Sequence, residues 1–178
     1  MTDFSNLIAL RQSCRNFDIT KEVELTKLQK CADALCLSPS ACNAQPYKVL
    51  IVTGEKAQMV REGVTELGRN KFVSACPAFA IVIEEKATLI PAIAAKFKSQ
   101  DFAQIDIGIA TAHYCLQATD LGLSTCILGW LNEEKLKKSF NIEKSKRIRL
   151  VLATGYAKAD DELRPKKRKD ISQLVEFI

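Results

Sequence analysis

Arg11, Ser13 and Arg15 stand at alternate positions in the stretch RQSCR. In an extended segment alternate side chains point the same way, so two guanidiniums and a hydroxyl would converge on one spot suited to a phosphate. The plainer alternative is a helix C-terminus carrying two solvated arginines where cations are favoured. PKKRK, residues 165–169, repeats the alternation with Lys166 and Arg168. Alone it reads as a solvated loop. As a nucleic-acid patch it lacks interleaved aromatics and is matched by Asp160, Asp161, Glu162 and Asp170, so that class ranks low. The third place is SPSACNAQPY, residues 38–47, whose Ser40, Asn43 and Gln45 offer donors and acceptors suited to a planar heteroaromatic or a sugar chain. A turn in which Asn and Ser bond their own backbone is the alternative, and it leaves Gln45 unexplained.

Elements must position these groups. The chain has 178 residues, 47% hydrophobic and 26% charged, the size of one domain (1–178) able to bury a core. FSNLIALR suggests a short helix ending near RQSCR, and a second runs from about Glu24 to Leu37, stopped by Ser38-Pro39. VLIVT (49–53), AFAIVIE (78–84), STCIL (124–128) and RIRLVLATGY (147–156) read as strands. Ala57, Val60, Val64 and Leu67 mark a third helix ending by Gly68. Residues 104–121 form a helix apolar around most of its circumference, so that a second subunit is expected to cover part of it. Asn132 caps a further helix, with Glu133 and Glu134 in its first turn and Lys137 and Lys138 in its last. Helices alternating with four strands give an α/β (α+β) sandwich.

The seven cysteines are odd in number, lack a C-x-x-C pair and mostly sit in apolar runs, which argues for reduced thiols in a cytoplasm. No long apolar leader and no run of about 18 apolar residues is present, so the chain reads as soluble and unexported. His113 is the single histidine, which disfavours a His-rich metal site or a Ser-His-Asp triad. No metal is expected. The net charge of +5 could favour anionic small molecules or nucleic acid without deciding between them.

RQSCR, then PSACNAQPY, the long DIGIATAHYCLQATDLGL helix, CILGW and a late K-x-R occur in the order seen in the flavin-dependent nitroreductase family, which the chain resembles over nearly its whole length. The resemblance implies a three-layer α-β-α sandwich with a mainly antiparallel sheet and a C-terminal arm, QLVEFI, exchanged in a homodimer. It implies FMN at the subunit interface. Arg11, Ser13 and Arg15 would meet its phosphate and ribityl edge, with Lys166 and Arg168 closing on the phosphate. Ser40, Asn43 and Gln45 would reach the flavin held mainly by the other subunit, and Leu128 and Gly129 would run along the isoalloxazine. NADH or NADPH would reduce the flavin, and an electron-poor acceptor such as a nitroaromatic or quinone would take the electrons in a ping-pong cycle. Arg15 is the candidate cation beside the reduced ring, and no protein general acid is assigned. An FMN storage or carrier protein, and the dehalogenating or flavin-consuming branches of the family, remain alternatives. The chain departs from its relatives between 85 and 103, where many carry a longer helical excursion that roofs the substrate pocket. His113 and Cys42 read as structural, Asp106 and Asp120 as caps or interface groups, and Tyr47 as packing. Trp130 reads equally as a flavin neighbour or an anchor for the next helix.

Overall fold

β2, Ala78–Glu84, explains the architecture, because six of its seven residues are buried. Ala78, Ala80 and Val82 share a core cluster with Leu28, Cys31, Leu35, Ile107, Tyr114 and Ala118, while Phe79, Ile81 and Ile83 share another with Val60, Val64 and Leu136. Successive side chains point to opposite faces, so an unbroken apolar strand needs cover on both. In the computed structural model, which describes residues 3–66, 68–86 and 101–178, that cover is helical. α2 (Leu25–Cys36) and α4 (Phe102–Asp120) lie on one face, and α3 (Lys56–Thr65) and α5 (Glu133–Ser139) on the other. Together with α1 (Phe4–Leu10), β1 (Tyr47–Val52), β3 (Ser124–Leu128) and β4 (Arg147–Gly155), these complete the α-helices and strands of the described residues.

The four strands pair antiparallel in the order β1-β2-β4-β3, which makes the chain a three-layer α-β-α sandwich. Between β2 and β4 the register shifts from Val82↔Leu150 to Ile83↔Ile148, leaving Arg149 as the extra residue of a bulge, where it pairs with Glu84. α5 begins as expected, with Asn132 Oδ1 accepting from the amide of Lys135 at 3.0 Å. Boundaries move where strand pairing or a side-chain cap extends an element. β1 starts at Tyr47 because the ladder with β2 extends to Tyr47↔Glu84. α4 starts at Phe102 because the Asp101 carboxylate accepts from the Gln104 amide. α3 closes at Thr65, and Leu67, expected to end it, lies outside the described residues, as does most of the 85–103 segment.

Five cysteines, Cys14, Cys31, Cys76, Cys115 and Cys126, are buried core residues, and all seven are free thiols. Burial pushes Cys14 up to about 11 and Cys31 and Cys76 to about 12, so these sulfurs pack as small apolar groups. Gly155 closes β4 under tight cover. A Cβ there would sit 2.8 Å from Pro77 Cδ and 3.0 Å from Phe17 Cδ1. Gly155→Ala is therefore expected to cost about 1–2 kcal/mol by overpacking, read as a lower midpoint in urea unfolding.

Candidate functional site

α1 ends at Arg11, whose backbone (φ −59°, ψ 118°) leaves the helix and becomes extended. Ser13 then bridges in parallel to Thr125 of β3, and the Cys14 amide donates to the Thr125 carbonyl at 2.9 Å. Cys14 is buried and Arg15 exposed, as alternation along an extended segment requires. Arg11, Ser13 and Arg15 line one surface cavity of about 310 Å³, and Lys166 and Arg168 line the same cavity from the other end of the chain. The two basic motifs, some 150 residues apart in sequence, are brought together.

What joins them is a set of bonds that spacing alone does not announce. Gln12 clamps the returning segment in both directions, donating from Nε2 to the Glu162 carbonyl (3.2 Å) and accepting the Arg164 amide on Oε1 (3.1 Å). Arg164 Nη2 donates to the Ser13 carbonyl (2.7 Å), and Lys166 Nζ to the Arg11 carbonyl (2.9 Å). Asn16 bonds Asp160, and the Lys158 amide donates to the Asn16 carbonyl. Arg164 is itself paired at 2.9 Å with Asp161, whose side chain is only 6% exposed. Sequence reasoning missed Gln12 and Arg164; their one local signal is that Gln12 lies within the first basic motif and Arg164 directly precedes the second. Electrostatically the cavity wants an anion. The Lys166 ammonium is held below the ordinary lysine value by desolvation and by the neighbouring charges of Arg11 and Arg168.

The 38–47 loop is built differently. Asp106 of α4 is buried and accepts the Ala41 amide on both oxygens, at 3.1 and 3.2 Å. Ser38 Oγ and Tyr47 Oη lie 3.2 Å apart across the loop base, which gives Tyr47 the expected packing role. Ser40 Oγ accepts the Gln45 amide at 3.0 Å, and Gln45 Nε2 donates to the Asn43 carbonyl (2.6 Å) and to Asn43 Oδ1 (3.0 Å). The self-bonded turn thus accounts for Gln45 as well, a point on which the sequence argument needs correcting. Cys42, Asn43 and Gln45 all have positive φ (52°, 54° and 44°), a strained run for residues with a Cβ.

Ser40, Asn43 and Gln45 do not line the basic cavity. Ala41, next to Ser40, is tied to Asp106 near the start of α4. Leu128 is buried at the end of β3, and the exposed Gly129 has open space where a Cβ would stand, so a flat group can approach the backbone there. Trp130, next in the chain, is 57% exposed. His113 is half-buried on α4. Among the described residues no His, Cys, Asp and Glu cluster could hold a metal ion, and no helix is long and apolar enough to cross a membrane.

The sequence model of the nitroreductase family matches residues 8–156. YodC of Bacillus subtilis strain 168, which carries an NAD(P)H nitroreductase name, is 22% identical over 204 residues covering 100% of both chains. An oxygen-insensitive NADPH nitroreductase of Helicobacter pylori strain J99 is 22% identical over 97% of this chain and 95% of the relative. In fold, the chain is similar to a protein of Exiguobacterium sibiricum 255-15 solved in complex with FMN, with a TM-score of 0.84 and 22% identity over 100% of this chain and 98% of that one. The matched stretch holds Arg11, Ser13 and Arg15 but stops short of Lys166 and Arg168.

Proposed function

The chain belongs to the nitroreductase family and is an oxidoreductase, and from that premise we propose that it is an FMN-dependent NAD(P)H oxidoreductase for nitroaromatic, quinone or similar electron-poor acceptors. The observation that carries this reading is the convergence of Arg11, Ser13, Arg15, Lys166 and Arg168 on one cavity, whose lysine is depressed by desolvation and by its charged neighbours. A monoester phosphate brings nearly two negative charges and three strong acceptors, which those donors suit. FMN fits the residues present: Arg11, Lys166 and Arg168 would hold its phosphate, Ser13 its ribityl edge, and the open backbone at Gly129 would face its ring. When bound, FMN supplies the electron transfer, taking hydride from NAD(P)H and passing the electrons, with protons from water, to the acceptor in a second half-reaction. Arg15, exposed beside the cavity, would place positive charge where reduction builds negative charge.

The site is shared between two copies in this reading. Ser40, Asn43 and Gln45 do not line the basic cavity of their own chain, so a second copy would supply them. Exposed apolar side chains on α1 (Phe4, Ile8, Leu10), Ile105 of α4, and the arm residues Phe177 and Ile178 offer the surface for such a homodimer. Light scattering is expected to give twice the 19.8 kDa chain mass. A monomer holding FMN tightly would contradict the shared site.

The decisive experiment is the visible spectrum of the purified protein before and after NADH or NADPH under anaerobic conditions. A yellow protein that bleaches supports the oxidoreductase. Yellow without bleaching points to a flavin carrier, and a protein that FMN cannot turn yellow overturns the reading. The charge argument adds a pH dependence. The negative charge of a bound phosphate attracts the Lys166 ammonium and outweighs the desolvation and repulsion that depress it, so its pKa is higher in the complex than in the free protein. FMN affinity is then complete below the depressed value and declines as pH rises through it. Lys166→Arg, which stays charged, is expected to flatten that alkaline decline in a titration of FMN binding against pH.

A further inference from the structure

Beyond the phosphate cavity, along the same surface, stand two stacks of a cation on an aromatic ring. Arg15, which lines the cavity, has its guanidinium carbon 5.9 Å from the centroid of Phe72. Two residues before Phe72, Asn70 reaches Trp130, and Arg69 lies over the indole at 5.6 Å. Trp130 directly follows Gly129, the open backbone position at the end of β3.

Trp130 is more exposed than a packing role needs, yet its backbone is fixed. Asn70, in the left-handed region with φ 56°, donates from Nδ2 to the Trp130 carbonyl (2.8 Å) and to the Val64 carbonyl (3.1 Å). Two residues on, the Asn132 amide donates to the Gly63 carbonyl at 2.8 Å. A loop held at both ends thus presents an indole that is more than half exposed, with the Arg69 guanidinium over one side of its ring. Among the described residues the Arg69 guanidinium meets no carboxylate and makes no hydrogen bond, and its close partner is the indole. The platform and the charge are together what a planar anion needs: a ring packs against the part of the indole that Arg69 leaves open while the carboxylate takes the guanidinium fork. Cations over an aromatic face also stay available to a second partner, since the ring quadrupole does not neutralise their charge.

We propose that Trp130 and Arg69 form the acceptor-selecting wall of the site, so that the preferred acceptors are planar aromatics bearing an anionic group, such as a carboxylate. This inference rests on the flavin reading of the adjoining cavity, which makes the Gly129–Trp130 turn a neighbour of the electron donor. Arg69 acts as a specificity-determining residue, and the indole as a stacking surface for charged and neutral rings alike.

Trp130 is the only tryptophan in the chain, so its fluorescence reads binding without turnover. Titration of the FMN-loaded protein with 4-nitrobenzoate is expected to quench it saturably. The neutral probe 4-nitrobenzyl alcohol should bind about tenfold more weakly, the worth of one charge-assisted pair. Arg69→Gln should weaken the carboxylate about tenfold and the alcohol by less than about twofold, with FMN content unchanged. In turnover, Trp130→Leu should raise KM for both probes together, because stacking is common to them. Equal weakening of both probes by Arg69→Gln, or quenching that never saturates, overturns the inference while leaving the flavin reading standing. A protein that takes up no FMN yet quenches with the same Arg69 dependence overturns the flavin reading, and the acceptor role with it.

Discussion

Replacing Arg11 and Arg168 together with alanine is expected to yield a folded, colourless protein that binds added FMN about a hundredfold or more weakly, as the loss of two charge-assisted contacts implies. Both side chains line the cavity, yet neither holds the fold together. The Arg11 contribution to the chain's own stitching is its backbone carbonyl, which accepts from Lys166 and survives the substitution. Arg168 donates within the described residues to the carbonyl of Lys167, its chain neighbour. Removing either guanidinium therefore removes charge from the cavity while leaving the Gln12 clamp and the Arg164–Asp161 pair intact. Equilibrium dialysis with FMN measures the loss, and an unchanged urea midpoint separates it from unfolding. A double variant that copurifies with full flavin would remove the phosphate assignment.

The single variants should differ in an informative way. Lys166 is depressed by both arginines, so removing either relieves repulsion in the free protein as well as removing attraction in the complex. The two single losses are therefore not expected to sum to the double effect, because the charges share one ligand and one titrating lysine.

Legibility in the sequence followed the range of the forces involved. β2 and β3 were readable to the residue, because an apolar run bounded by Pro77 or by Gly122 and Gly129 states both the strand and its limits. The Asn132 cap was equally local. The 3-10 turn at Lys71–Ala75 carries no comparable periodic signal, and it went unread. Trp130 is poised by Asn70, sixty residues away in the chain, which no window across Trp130 can reveal. The alternation of Arg11, Ser13 and Arg15 was visible, and so was that of Lys166 and Arg168. Their meeting depends on Gln12 and Arg164, ordinary polar residues whose meaning exists only once β3 and β4 have brought the chain ends side by side. The loop gave the opposite lesson. Its polar groups looked surplus to a turn because the pattern of bonds from Ser40 to Gln45 and back to Asn43 is set by three positive-φ residues, a geometry that residue types other than glycine do not advertise.

That loop yields the second large effect, through Asp106. Holding Cys42, Asn43 and Gln45 at positive φ costs of order 1–3 kcal/mol each, so the loop persists only because its surroundings over-determine it. Its link to the helical layer is the pair of bonds from the Ala41 amide to the buried Asp106 carboxylate. Asp106→Ala deletes that acceptor and leaves the amide unpaired in a half-buried position, which together with lost packing should cost about 3 kcal/mol of stability. The free energy stored in the turn then favours relaxation, since the residues at positive φ gain by returning to ordinary backbone regions. Hydrogen exchange at Asn43, Ala44 and Gln45 should accelerate well beyond the change seen in β2, while Asp106→Asn, which keeps one carbonyl oxygen facing Ala41, should fall between. If the loop serves a flavin across a dimer, FMN affinity should fall in the same order, from parent to Asn to Ala, although Asp106 itself does not line the basic cavity. Unchanged exchange in the loop would show that Ser38, Tyr47 and the turn's own bonds suffice to hold it. Faster exchange with unchanged FMN affinity would instead separate the loop from the flavin, and the strained turn would then need another purpose.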